Sequence, residues 1–360
     1  MKLTGRSILI ISPEPWDHIF VSKHHYAISL AQRGNHVYFL NPPQKSGTVQ
    51  TTAFKNVLSV TYGGFPKGLR YYPRLLRRYF TRRRFDELQR ICDTRFEIVW
   101  SFDNSVFFDF SALPQGILTI SHMVDLNQDF QFAAAAKTAD VCLGVSRAIV
   151  KKQRNYCSQS HFINHGYAQS VSPNRVQLPA KDVALRVGYA GNLDLKYIDW
   201  KILQHLIPGH TDIGFYFAGP FTASASYAKW LNGQSNAFLL GRIPSAQIVT
   251  FYAQMDILIL CYRSAEYPDQ LTNSHKMMEY LGSGKMIVAT FTAEYKELED
   301  RNLLLMSNGN AHFPDKFRQA LQGLEFWNDP EKQQLRKEWA LENTYDKQLD
   351  RIERILNNVD

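Results

Sequence analysis

Short apolar runs alternate with amphipathic stretches twice along this chain, and a polar interval carrying Pro173 and Pro179, residues 168–183, separates the two series. Strands that alternate with helices cannot pair as hairpins. Each helix must carry the chain across the sheet and return it parallel, so each series predicts its own doubly wound α/β domain. In the first, strands are expected at residues 7–12, 36–40, 97–102, 117–121, 140–145 and 160–164, with helices at 23–33, 130–138 and 146–156. In the second, strands are expected at 185–190, 213–218, 237–240, 256–261 and 286–290, with helices at 199–207, 245–255, 274–281 and 293–299. Residues 314–359 read as helical throughout, apart from a break near residues 328–330. A chain of 360 residues exceeds the roughly 250–300 at which one core stops growing, so two domains are the default. Their bounds are set at 1–170 and 184–340, with residues 341–360 a final helix expected to pack back toward the first domain.

Charge is unevenly placed. Residues 1–180 hold 22 Lys and Arg against 11 Asp and Glu, whereas residues 181–360 hold 19 against 22. Much of the excess sits between Arg74 and Arg84, where Arg77, Arg78, Arg82 and Arg83 are interleaved with Leu75, Leu76, Tyr79 and Phe80. That mixture suits a helix lying on an anionic membrane surface. A solvated basic helix covering its own domain is the plainer alternative. Nucleic acid is not expected as a partner, because no finger, RNP or helix-turn-helix signature accompanies the patch. Cys92, Cys142, Cys157 and Cys261 form no CxxC pair, which argues against a disulfide framework or a zinc site. The apolar run 8–11, stopped by Pro13, is too short for a secretory core or a membrane span. A cytosolic protein, peripheral to the inner membrane face, is expected.

The most informative segment is 273–290. A helix starting near Ser274 leaves amide donors free at its positive end, where an anion is favoured, and Lys276 adds a charge there. Ser274 and His275 would supply the amides. Lys276 and Glu279 are three apart and share a face, while Met277, Tyr280 and Leu281 form another that packs inward. Gly282 and Gly284 suit the left-handed turn that ends a helix, and 286–290 reads as a buried strand. The same pattern also fits an ordinary surface helix with Lys276 and Glu279 as a solvated pair.

Several segments together resemble the GT-B glycosyltransferases, two Rossmann-like domains facing a cleft, and the likeness extends over nearly the whole chain. Arg186, Val187, Gly188, Tyr189, Ala190, Gly191 and Asn192, followed by Asp199, look like the first strand and glycine loop of the donor domain in that group. Phe217 to Pro220 and Leu240 to Arg242 resemble its next strand ends. Lys276, Glu279, Tyr280, Leu281, Gly284 and Lys285 match a K-x-x-E-Y-L-x-x-G-K pattern common in bacterial polysaccharide transferases similar to family 4. Two departures stand out. Leu271 occupies the position eight residues before Glu279 where family 4 usually carries a glutamate, and Pro13, Glu14, Pro15, Trp16 and Asp17 replace a glycine-rich loop after the first strand.

What the resemblance implies is a nucleotide-diphosphate sugar as co-substrate, a glycan or lipid-linked acceptor, and no metal or other cofactor. The absence of any Asp-x-Asp pair agrees with the last point. Departure of the diphosphate builds negative charge that Gly191, Asn192, Ser274, His275 and Lys276 are placed to receive. Glu279 is implied to accept from the ribose hydroxyls. Arg242 and Arg263, each just past a strand end, are further phosphate or base candidates, though either also reads as a surface arginine. In the first domain His122 is implied to touch the sugar or acceptor, with Asp125 as a base. A nucleotide-sugar epimerase of the same fold and a non-catalytic subunit that binds a partner transferase are the alternatives.

Overall fold

The computed structural model describes residues 1–125, 130–169, 174–179, 183–222, 225–268, 271 and 273–358. The chain divides into two compact units, residues 1–166 with 345–360, and residues 167–344.

Unit 1 is built on a sheet of strands β1 (Ser7–Ile11), β2 (His36–Leu40), β3 (Thr48–Thr51), β4 (Val57–Thr61), β5 (Ile98–Ser101), β6 (Leu118–Met123), β7 (Val141–Gly144) and β8 (Ser160–Phe162). Their order is β3-β4-β2-β1-β5-β6-β7-β8, and every pair is parallel except β3 with β4. Helices α1 (Ser22–Gln32), α2 (Arg74–Ile91), α3 (Phe132–Thr138) and α4 (Arg147–Arg154) supply crossovers. Continuous apolar strands such as Ile8, Leu9 and Ile10, none of them exposed, are what a sheet covered on both faces requires. The β3–β4 hairpin escaped the sequence reading because its exposed strand, Thr48–Thr51, carries little apolar signal.

Unit 2 repeats the plan with β9 (Leu185–Ala190), β10 (Ile213–Ala218), β11 (Ala237–Gly241), β12 (Ile257–Leu260), β13 (Met286–Thr290) and β14 (Leu305–Ser307), all parallel in the order β11-β10-β9-β12-β13-β14. Its helices are α5 (Trp200–Leu206), α6 (Ser226–Asn232), α7 (Ile248–Ala253), α8 (Lys276–Ser283), α9 (Lys296–Asp300), α10 (Phe313–Gln322), α11 (Leu324–Trp327) and α12 (Pro330–Leu341). Strand order reverses beside β9, between β10 on one side and β12 on the other. At such a switch point the crossovers leave in opposite directions and open a crevice past the carboxyl ends of the strands.

The tail departs from the single break expected near residues 328–330. Gly323 also interrupts it, and so do Glu342, Asn343 and Thr344, after which α13 (Tyr345–Leu356) returns to unit 1. There Arg33, the residue that follows α1, bonds Asp346 and Asp350 at 2.7 Å, while Tyr345 packs edge-on against Tyr26 with ring centroids 5.0 Å apart. No helix among the described residues is long and apolar enough to cross a membrane.

Candidate functional site

At the unit 2 switch point the structure brings Gly191, with Asn192 next to it in the chain, against Lys276. Past β9, Gly191 adopts φ 152°, and its amide donates to Ala218 O at 2.8 Å. Past β10, Gly219 adopts φ 137°, and its amide donates to Gly241 O at 2.7 Å. These loops lie so close that a Cβ on Gly219 would fall 1.9 Å from Gly191 O. Only glycine permits both the dihedral and the approach. Asn192 spends its side-chain oxygen on the Asp194 amide, 2.9 Å away, which fixes the turn.

Lys276 lies over this loop. Its Cε and Nζ come within 2.3 and 3.0 Å of where a Gly191 Cβ would stand, so any larger residue at 191 displaces the lysine. The ammonium also sits 5.9 Å from the centre of the Tyr189 ring. Among the described residues two lysines are buried, Lys23 at 3% exposure and Lys276 at 7%. Lys23 is paired with Glu14. Lys276 has no carboxylate within ion-pair reach among the described residues. Its nearest acid along the helix, Glu279, instead accepts from Tyr252 Oη at 2.8 Å. Burial raises the Glu279 pKa, opposed by the Tyr252 hydrogen bond and by the Lys276 charge. A buried cation is costly unless something neutralises it, so the arrangement favours an anion at Lys276.

The helix carrying this pair starts later than the sequence reading placed it. Helix α8 begins at Lys276, His275 takes the cap position with no side-chain cap, and the Ser274 amide is already spent on Tyr295 Oη at 2.6 Å. Ser274 is thereby corrected from cap and phosphate donor to structural residue, because Tyr295, distant in sequence, reaches its amide first. Gly282 is corrected too. It lies inside α8, where a Cβ would meet the Tyr167 ring at 2.4 Å, and Gly284 alone, at φ 78°, makes the left-handed ending. The buried Arg336 of α12 then holds the Gly284 carbonyl at 3.0 Å and that of Trp327 at 2.7 Å. Burial lowers the pKa of that guanidinium to about 10.

Other candidates are placed differently. Arg263 is tied to Glu266, donates to Lys196 O at 3.3 Å and covers the Tyr267 ring, so its charge is largely satisfied. Arg242 is exposed beyond β11. Leu271, at the position where the family resemblance leads one to look for a carboxylate, packs against the unit 2 core. Sequence reasoning gave no role to the hydroxyls of Tyr252, Tyr189 and Tyr262; the first bonds Glu279, and the other two stand 3.1 Å apart. Their apolar surroundings make them indistinguishable from core residues in the sequence.

In unit 1, β6 runs on to Met123, so His122 lies within the strand instead of following it. That register turns it into an aromatic core. His122 is 1% exposed, stacks on Phe102 at 4.8 Å, and its Nδ1 accepts from Trp100 Nε1 at 3.3 Å. Burial, then the nearby His165 and Lys23, lower its pKa to about 3, and Nε2 has no hydrogen-bond partner among the described residues. Asp125, two residues past the strand, is half-buried and has a partner of its own. Among the described residues no three His, Cys, Asp or Glu side chains cluster as metal ligands would.

No protein-family model matches the chain, and no curated protein matches it in sequence. Solved structures do match. The chain is similar to a sucrose-phosphate synthase from Thermosynechococcus elongatus, with a TM-score of 0.70 and 11% identity over 98% of this chain and 99% of that one. It is also similar to the catalytic domain of starch synthase IV from Arabidopsis thaliana bound to ADP and acarbose, at TM-score 0.67 and 11% identity over 99% of each chain. A glycosyltransferase from Rickettsia africae gives TM-score 0.66 and 11% identity over 98% of each. At such identities the likeness is one of fold: the chain has the GT-B fold, two Rossmann-like units in tandem.

Proposed function

We propose that this chain is a glycosyltransferase, similar to family 4, that moves a sugar from a nucleotide-diphosphate donor to a glycan or lipid-linked acceptor in cell-surface polysaccharide biosynthesis, working without a metal at the inner face of a membrane. The observation that carries this reading is Lys276: a buried ammonium with no carboxylate partner among the described residues, laid across a glycine loop at the switch point of a parallel sheet. The diphosphate is the anion assigned to it. As the sugar leaves, charge accumulates on that phosphate, and a cation fixed beforehand in a water-poor crevice stabilises it without reorganising. Glu279, oriented by Tyr252, is assigned the ribose hydroxyls, and Asn192 and Arg242 flank the same loops. Support also comes from the fold relatives, one of which was solved with ADP. His122, buried in its aromatic core at 1% exposure, is given no sugar contact in this reading.

The test is a thermal-shift series across nucleoside diphosphates. A ligand at a hundred times its dissociation constant raises stability by about 2.7 kcal/mol. Lys276→Met should weaken the best diphosphate by tenfold or more, while Glu279→Gln should weaken the nucleoside diphosphate but not inorganic pyrophosphate. Unchanged affinities in both variants would remove the reading. A second reading, a non-catalytic GT-B subunit, is favoured by Leu271. It predicts the same binding with no donor hydrolysis or transfer, and detection of either reaction rejects it.

A further inference from the structure

Helix α2 is anchored only from its eighth residue onward. Thr81, Phe85 and Leu88 are its buried residues, and none of residues 74–80 is buried. Before the anchor stands a group of large apolar side chains in water: Tyr71 at 77% exposure, Leu75 at 80%, Leu76 at 47% and Tyr79 at 57%. Leu75 and Tyr79 are four apart and Leu76 and Tyr79 three apart, so they meet on one ridge, and Tyr71 stands exposed in the turn before the helix. A lone exposed leucine needs no explanation, whereas a contiguous apolar ridge marks a surface that something covers.

Cations surround the ridge. Arg70, Arg74, Arg78, Arg82 and Arg83 are all exposed. Arg82 is compensated by Asp86 at 3.0 Å, and the half-buried Arg84 by Glu87 at 2.6 Å. Arg74 and Arg83 have no ion pair among the described residues.

We propose that this edge docks on an anionic bilayer, with Leu75, Leu76, Tyr71 and Tyr79 seated at the boundary of headgroups and acyl chains and the arginines on lipid phosphates. The chemistry selects this occupant. Nucleic acid would engage the arginines yet leave Leu75 and Leu76 in water. A second copy of the chain would bring two arginine rows together without added negative charge. A bilayer offers an apolar boundary and anions within one side-chain length of each other. The inference stands independently of the transfer chemistry, since it uses residues outside the candidate donor site.

The full chain is sedimented with vesicles of phosphatidylcholine, with or without phosphatidylglycerol, at low and high salt. Retention is expected only with phosphatidylglycerol. Arg74→Gln/Arg83→Gln should weaken it about thirtyfold, the loss of two cations worth about 1 kcal/mol each. Leu75→Ser/Tyr79→Ser should keep the low-salt capture and lose retention as salt rises. Equal retention without the anionic lipid overturns the proposal, as does indifference to either double substitution. So does arginine-dependent capture of a single-stranded oligonucleotide with no capture by vesicles, or concentration-dependent self-association that the serine variant abolishes. Nucleoside diphosphate affinity, measured on the same samples, should be equal in all variants; its absence throughout would sink the proposed function and leave the vesicle result standing.

Discussion

Three histidines of unit 1 show how burial decides what a residue type can do. His24 is stacked between Phe20 and Phe39, His25 lies on the Tyr345 ring, and His122 on Phe102. Burial lowers the pKa of His24 and His25 to about 4 and that of His122 to about 3. Unfolded, each titrates near 6.5. Between that value and about pH 4 the unfolded chain therefore binds three protons that the folded chain refuses, so stability is complete above pH 6.5 and falls as the solution is acidified. Near pH 5 the slope from this group should be about 4 kcal/mol per pH unit, at about 1.4 per proton. Denaturant titrations of unit 1 at pH 7.5 and pH 5 would measure it, and His24→Phe should remove about a third. Glu279 has the opposite sign. Its raised pKa means that ionisation costs stability as pH rises, so Glu279→Gln is expected to melt slightly higher at neutral pH even as it weakens nucleotide binding, a pairing typical of functional positions.

At the scale of elements, the donor-side loops and α8 act as one piece. Gly191 and Gly219 each sit in backbone conformations that L side chains rarely adopt, and Gly219 has no space for a methyl group beside Gly191 O. Gly219→Ala should cost about 2–4 kcal/mol through strain and steric overlap. Gly209→Ala is the control, since its Cβ would make only ordinary contact at 3.4 Å. The strand–glycine pattern around 185–192 was legible because its signal is local. The start of α8 was not: a serine before an apolar period reads as a cap, and only the fold brings the Tyr295 hydroxyl onto its amide.

Across the whole molecule, the chain ends in the unit where it began. Tyr345, Leu349, Ile352 and Leu356 are buried, and the Leu3 amide donates to Glu353 at 2.7 Å. Burying one such side chain contributes roughly 1.5–3 kcal/mol, so the four together are comparable with the 5–15 kcal/mol by which a typical domain is stable. A chain cut after Thr344 should therefore lose cooperative melting of unit 1, read by near-ultraviolet circular dichroism, while unit 2 keeps its own transition. Equal melting of both units in the truncated chain would contradict this role for α13.

By itself the sequence determined the two alternating series, hence two predominantly parallel sheets, and the lysine and glutamate three apart on a helix with an apolar opposite face. Those features are written in spacings of two to four residues, where side-chain periodicity and backbone geometry are coupled directly. Tertiary structure alone decided that His122 would face an aromatic core, that Lys276 would be buried with no carboxylate among the described residues while Lys23 received one, and that Arg336 would close the end of α8. Each of these outcomes depends on residues far apart in sequence competing for the same polar atom or the same buried space, and no local pattern records who wins.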